Sequence, residues 1–218
     1  MPKRTPIMPA MKLVILDRDG TLNAQTDAFI RRPEDWQALP GALEAVARLN
    51  QAGFTVVLAA NVPGLGRGLI DMAGLNAIHL RMHKELAAVG GRIDALFFCP
   101  HVPEDACDCR KPKPGLFTQI AQRYGVNPAQ IDALGNSLAD VQAAQAAGCR
   151  PHLVLTGCSR PDCIDPLPPE FGQVQVHTDL PAFAQALVSP ASPPAPAAAS
   201  EAVPIAPATD PAGAHRNL

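Results

Sequence analysis

Short apolar runs alternate with amphipathic segments along most of this 218-residue chain, and that alternation constrains its fold more than any other feature. Lys12–Leu16 is short and apolar, the pattern of a buried strand. Gly41–Gln51 follows, opened by Pro40, with Leu43, Val46, Ala47 and Leu49 on one face. Phe54–Ala60 is a second buried strand. Leu75–Val89 is an amphipathic helix with Leu75, Ile78, Met82, Leu86 and Val89 aligned. The pattern then repeats: strand Ile93–Phe98, helix Leu116–Tyr124 closed by Gly125, strand Ile131–Leu134, helix Leu138–Ala147 closed by Gly148. Strands His152–Leu155 and Val174–His177 and a helix over Leu180–Val188 complete it. Strand–helix alternation of this kind predicts an α/β fold, a Rossmann-like parallel sheet with helices on both faces. Ligands bind such sheets at the carboxyl ends of the strands. Asp17, Asp19, Asn61 and Asn136 all fall at such ends.

Composition narrows the function classes. Hydrophobic residues make up 47% and charged residues 17%, which suffices for a core. A net charge of −2 gives no basic field for nucleic acid. No apolar run approaches the roughly 20 residues of a membrane helix, and the first ten residues carry charge but no hydrophobic stretch, so they are not a secretory signal. A cytoplasmic location and a monomer are expected. Residues 1–10 are an N-terminal extension, because Met11 opens the first strand cleanly, and one domain spans 11–188. Seventeen of the 30 residues in 189–218 are Ala or Pro, so that segment is expected to be a disordered tail.

The string "VILDRDGTLN" places Asp17 and Asp19 at the mouth of the first strand. One carboxylate there could attack phosphorus while the other protonates the leaving oxygen, and their repulsion calls for a hard cation such as Mg²⁺. D-x-D alone is equally a solvent-exposed turn with two acids. The longer string "ILDRDGTLN" resembles motif I of the haloacid dehalogenase-like phosphatases. Within that family the chain is similar to the small, capless branch acting on the 7-phosphate of D-glycero-D-manno-heptose 1,7-bisphosphate; a related branch acts on histidinol phosphate. The resemblance spans about residues 11–160. It implies a sugar phosphate substrate and a place in lipopolysaccharide core synthesis. It also implies that Asp17 forms an aspartyl-phosphate, that Asp19 is the general acid/base, and that Mg²⁺ is held by the Asp17 side chain and the Asp19 carbonyl.

"CPHVPEDACDC" offers Cys99, His101, Cys107 and Cys109, four soft ligands in a short loop, as a closed tetrahedral Zn²⁺ site requires. The family carries the same C-x-H and C-x-C loop. With no open coordination position this zinc is expected to be structural, stiffening the stretch that leads into "RKPKPG". There Arg110 and Lys111 are a solvated charge run on sequence alone. By the resemblance, Lys111 steadies the phosphoryl group and Arg110 recognises substrate.

Two stretches depart from the family. Where it reads T-N-Q-S-G, this chain has Ala60, Asn61, Val62, Pro63 and Gly64. Asn61 remains as a substrate-binding candidate, while Pro63 removes a backbone N–H. In "LGNSLAD", Asn136 replaces the first Asp of G-D-x-x-x-D, an Mg²⁺ ligand, and Ser137 stands where a Lys is common. Asp140 persists, able to reach the metal or to cap local backbone. Two outcomes are open: a weakened phosphatase, or a zinc-stabilised phosphate-binding or interaction protein that has lost turnover.

Other signals are discounted. The glycines of "NVPGLGRG" lack the third position of a dinucleotide loop, which holds Leu69. His79 and His83 are expected to flank an apolar helix face rather than bind metal, and Phe29 and Trp36 to pack the first loop. Cys149, Cys158 and Cys163 need no role beyond filling or surface.

Overall fold

The computed structural model describes residues 11–25, 29–157, 171 and 174–189. The proposed N-terminal extension, nearly all of the Ala/Pro-rich segment, and Cys158 and Cys163 lie outside the described residues.

Six parallel strands, β1 (Lys12–Leu16), β2 (Phe54–Asn61), β3 (Ala95–Cys99), β4 (Asp132–Gly135), β5 (Arg150–Val154) and β6 (Gln175–His177), form one sheet in the order β3-β2-β1-β4-β5-β6. The order reverses at β1, which pairs with β2 on one side and β4 on the other. The helices are α1 (Ala42–Gln51), α2 (Pro63–Gly66), α3 (Met72–Ala88), α4 (Gly115–Tyr124), α5 (Leu138–Ala146) and α6 (Leu180–Val188). Side-chain alternation splits the interior into two layers. Val14, Leu16, Val56 and Leu58 face α1, α3 and α6, meeting Val46, Leu49, Ile78, Met82 and Phe183. Leu13, Ile15, Val57 and Ala59 face α4 and α5, meeting Leu116, Phe117, Ile120 and Ala143. Both faces of β1 and β2 are therefore dry, which explains why those strands read as unbroken apolar runs.

Several boundaries differ from the sequence pattern, each for a local reason. Helix α3 begins at Met72, three residues before the first aligned apolar residue, because the Asp71 side chain caps it by accepting from Gly74 N at 2.7 Å. Strand β3 begins at Ala95. The residue before it, Asp94, pairs with Val56 through its main-chain N–H and its own carboxylate, standing in for a ladder partner. Strand β5 begins two residues earlier than expected, and Pro151 is tolerated there because β6 first pairs at His152. The short helix α2 was absent from the sequence pattern, since Pro63-Gly64-Leu65-Gly66 has turn composition. Trp36 is fully buried in the α1/α3/α6 layer.

Candidate active site

The carboxyl end of β1 turns sharply. Asp17 N extends the sheet with one more bond, to Leu134 O at 2.8 Å, and Leu22 N and Asn23 N both return to Arg18 O. Gly20 has φ +84°, and a Cβ there would fall 2.0 Å from the Asn136 side chain. From the far side Gly157, φ +74°, comes close enough that its Cβ would meet the Gly20 backbone at 2.1 Å. Two glycines thus let the loops after β4 and β5 close on the turn after β1.

That turn buries Asp17 beside a lysine from the loop after β3. Lys111 Nζ donates to Asp17 Oδ1 at 2.6 Å and to Ala59 O at 2.8 Å, and it lies 2.5 Å from Asp140 Oδ1. All three ionic side chains are at least nine-tenths buried. Burial pushes the Asp17 carboxyl up, Lys111 pulls it down, and Asp140 and Asp19 push it up again, leaving it at about 7. Burial alone would lower Lys111, but the two carboxylates hold it above the ordinary lysine value. The other oxygen of Asp140 accepts from Ser137 N and Ser137 Oγ, so this side chain both caps α5 and faces the lysine.

Asp19 is held differently. Arg18, buried between the two acids, grips it with a fork: Nε to Oδ1 at 3.0 Å and Nη2 to Oδ2 at 2.8 Å. Asn23 Nδ2 donates to Oδ1 at 3.0 Å. Burial would raise Asp19, but the Arg18 charge and the hydrogen bonds from Arg18 and Asn23 together hold it below the usual carboxylate range. Its side chain is one-third exposed, against one-tenth for Asp17. It opens onto a cavity of about 200 Å³ lined by Arg18, Gln25, Phe29, Asn61, Val62 and Pro63, among others. Phe29 lines this cavity and lies under Arg67, whose guanidinium is 5.3 Å from the ring centroid.

Asn61, the last residue of β2, spends its side-chain amide on the lysine's backbone. Its Oδ1 accepts from Lys111 N and its Nδ2 donates to Lys111 O, both at 3.1 Å. Asn136 lies over Gly20, with Nδ2 2.9 Å from Gln25 Oε1. Ala60 is buried in the α1/α3/α6 layer. Arg110 Nη1 donates to His101 O at 3.2 Å, tying it to the loop before it. Sequence reasoning missed Arg18, which reads as a spacer between two acids. A buried arginine flanked by carboxylates is a signal only once the turn geometry is known.

The charge balance at the turn favours a hard cation. Asp17, Asp19 and Asp140 bring three carboxylates and Arg18 and Lys111 two positive charges, so one negative charge is left over amid oxygen ligands. A second set suits a soft one. Cys99, His101, Cys107 and Cys109 place their ligand atoms within 4.8 Å of one another. The Sγ–Sγ separations are 3.6, 3.2 and 3.5 Å, and His101 Nδ1 is 3.5 Å from Cys99 and 3.3 Å from Cys109. These match the edges of a tetrahedron around one Zn²⁺. The loop is anchored to the end of β2 by Val62 N to Cys99 O and Gly66 N to Pro100 O. Among the described residues this is the only group of three or more His, Cys, Asp or Glu side chains whose ligand atoms converge so closely.

A parallel sheet with an acidic turn at its reversal point, faced by a buried lysine, defines a hydrolase class. The chain belongs to the haloacid dehalogenase-like hydrolases, whose family model matches residues 22–148. Within that family it is 54% identical over 181 residues to the D-glycero-beta-D-manno-heptose-1,7-bisphosphate 7-phosphatase of Bordetella bronchiseptica, covering 83% of this chain and all of that one. It is 44% identical over 176 residues to the protein of the same name from Pseudomonas aeruginosa, covering 81% and 97%. A crystal structure of the B. bronchiseptica phosphatase, complexed with magnesium and phosphate, superposes with a TM-score of 0.74 at 50% identity, covering 82% of this chain and 98% of that one. Among the described residues no helix is long and apolar enough to cross a membrane.

Proposed function

We propose that this chain hydrolyses a phosphomonoester of a sugar, with D-glycero-D-manno-heptose 1,7-bisphosphate as substrate and its 7-phosphate as the group removed. The observation that carries this is the placement of Asp17: a buried carboxylate at the end of the central strand, 2.6 Å from a buried lysine, with Asp19 of the same turn lining an open cavity. The substrate is inferred from relatives of this name that match at 44–54% identity over most of their length.

Asp17 attacks phosphorus and becomes an aspartyl-phosphate; the P–O bond to the sugar breaks. Asp19, at the cavity wall, delivers to the departing alcohol oxygen a proton taken up as the anionic substrate binds, against the pull of Arg18 and Asn23 that holds its carboxyl low in the free site, and then takes one from the water that cleaves the acyl phosphate. Lys111 neutralises charge on the transferring phosphoryl oxygens, its Nζ held by Asp17, Asp140 and Ala59 O, its backbone by Asn61. Mg²⁺ would be held by the Asp17 carboxylate, the Asp19 carbonyl and the Asn136 amide oxygen. When bound, it supplies the positive charge that lets an anionic phosphate approach a carboxylate. An amide in place of a carboxylate at Asn136 weakens the hold on a hard cation. Val62 and Pro63 present apolar wall to the cavity, so turnover is expected to be slower than with a full set of polar donors. Zn²⁺ on Cys99, His101, Cys107 and Cys109 would fix the loop that carries Arg110 and Lys111, Arg110 contributing to substrate recognition.

The test is Mg²⁺-dependent phosphate release from heptose 1,7-bisphosphate, histidinol phosphate and an aryl phosphate, with Asp17→Asn as control. Release fastest from the heptose ester supports the assignment. Preference for histidinol phosphate moves the substrate to the related branch. No release above the control from any of the three refutes an enzymatic role and leaves a phosphate-binding module. Asn136→Asp should lower the Mg²⁺ concentration needed for half-maximal rate.

A further inference from the structure

Arg18 is as completely buried as Lys111, yet the chemistry proposed above gives it no task. Arginine has only donors, five N–H groups in a rigid fork. Two of them hold the two oxygens of Asp19, at 3.0 and 2.8 Å. Nη1 points away from the acid and meets Nε2 of His79 at 3.3 Å. Because arginine cannot accept, the His79 nitrogen facing it is the acceptor. His79 sits on α3, a 17-residue helix packed by Leu75, Ile78, Met82 and Leu86 into the core. The contact joins residues 61 positions apart. The turn after β1 is thereby tied to a helix of the core.

We propose that Arg18 and His79 are positioning residues for Asp19: the guanidinium fixes the carboxylate's plane, and His79 on α3 fixes the guanidinium. The proton that Asp19 passes to the leaving oxygen must travel along one direction, and a carboxylate free to rotate about its Cβ–Cγ bond would present it in many. The fork selects one orientation, and the third donor removes the freedom of the fork itself. Asn23, the other donor to Asp19, belongs to the same turn and is tied by a bridge to Ala38 of the following loop, whereas Arg18 reaches a core helix. His79 touches Arg18 and is not among the cavity-lining residues, so it acts only through the arginine.

Because this rests on the phosphomonoesterase chemistry above, the experiment reads a property that only proton delivery moves. kcat/KM is measured for heptose 1,7-bisphosphate and for a series of aryl phosphates from para-nitrophenyl to phenyl, in wild type, Arg18→Lys, His79→Leu and His79→Gln. The para-nitrophenolate leaves without a proton, whereas the sugar alkoxide and phenolate need one. kcat/KM covers steps up to formation of the phospho-aspartate, so slow hydrolysis of that intermediate cannot mask the effect. Arg18→Lys and His79→Leu should lose on the order of 10- to 100-fold on the heptose ester. His79→Leu, which leaves the cavity lining untouched, should stay within about threefold on para-nitrophenyl phosphate, giving a steeper dependence on leaving-group basicity. His79→Gln, which restores an acceptor, should recover most of the loss. The para-nitrophenyl rate reports that each variant is folded and loaded. Equal losses across the series, or none, would overturn the positioning role. A wild type silent on every ester would instead overturn the phosphatase assignment, and the inference with it.

Discussion

Replacing Lys111 with Met tests the electrostatic design of the site without touching its scaffold. The side chain is 4% exposed and its ammonium serves two carboxylates and a carbonyl, at 2.6, 2.5 and 2.8 Å. Methionine fills nearly the same volume, so packing is spared. What changes is that Asp17 and Asp140, 10% and 6% exposed, lose their shared cation and face one another. Removing one partner of a buried ion pair costs about 3–5 kcal/mol. Asp17 moderates this, since its carboxyl already lies at about 7 with the lysine present and moves higher without it, so part of the charge is removed by proton uptake. At pH 8 in Mg²⁺-free buffer, urea unfolding should therefore show a loss near 3 kcal/mol, roughly the lower end of that range. The loss should shrink as pH falls towards 6, as the proton replaces the ammonium. Adding Asp17→Asn to Lys111→Met should return about half of it, because only one buried carboxylate then lacks a counter-charge. An unchanged midpoint for Lys111→Met, or a double variant less stable than the single one, would refute the picture of two acids sharing one lysine.

Other perturbations have equally definite outcomes. Asp132, at the start of β4, accepts a fork from Arg150 at 2.8 and 2.7 Å and a third bond from His152 at 3.0 Å. Burial raises its carboxyl, but those bonds outweigh burial and hold it below the usual range, so its stabilisation is full above the ordinary carboxylate pKa and is lost as pH falls through the folded value. Asp132→Asn should cost about 1–3 kcal/mol at pH 7, with the gap from wild type closing in acid, by thermal unfolding at both pH values. Elemental analysis should find about one Zn²⁺ per chain, and Cys107→Ser should release it and lower the unfolding midpoint. Gly157→Ala places a Cβ 2.1 Å from Gly20, whereas Gly53→Ala, φ +85° with nothing within 4 Å, meets open space. Gly53→Ala should cost only the left-handed backbone, about 1–2 kcal/mol in calorimetry, and Gly157→Ala more than that with a loss of activity.

The sheet and its helices were legible because their signals are local. The strands of the dry interior, β1 and β2, are unbroken apolar runs, and α1, α3 and α4 repeat their apolar residues every three or four positions. Boundaries slipped where a side chain replaced a backbone partner, as Asp71 does at α3 and Asp94 before β3. The residues that make up the site were also visible: Asp17 and Lys111 meet although 94 positions separate them, because both lie at the carboxyl edge. How they are shared out was not visible. That Asn61 would spend both ends of its amide on the backbone of Lys111, that Asp140 would cap a helix and face a lysine at once, and that Arg18 would reach His79 are consequences of register between distant segments. The histidine pair on α3 read as bland, and one of its members is the outer anchor of the acidic turn. The ion pair of Asp132 with Arg150 left no trace in either local pattern.

The reversal of strand order at β1 has a consequence for how such a site can change over time. Each contributor arrives on its own connection: the acidic turn after β1, the Asn61 segment after β2, the cysteine-bearing stretch after β3, Asn136 after β4 and Gly157 after β5. Such loops can be rewritten one at a time while the dry sheet beneath goes on specifying where they end. The apolar Val62 and Pro63 and the amide of Asn136 sit on two separate connections, above strands whose interior pairing is continuous. A chain of this architecture can drift in chemistry without drifting in shape.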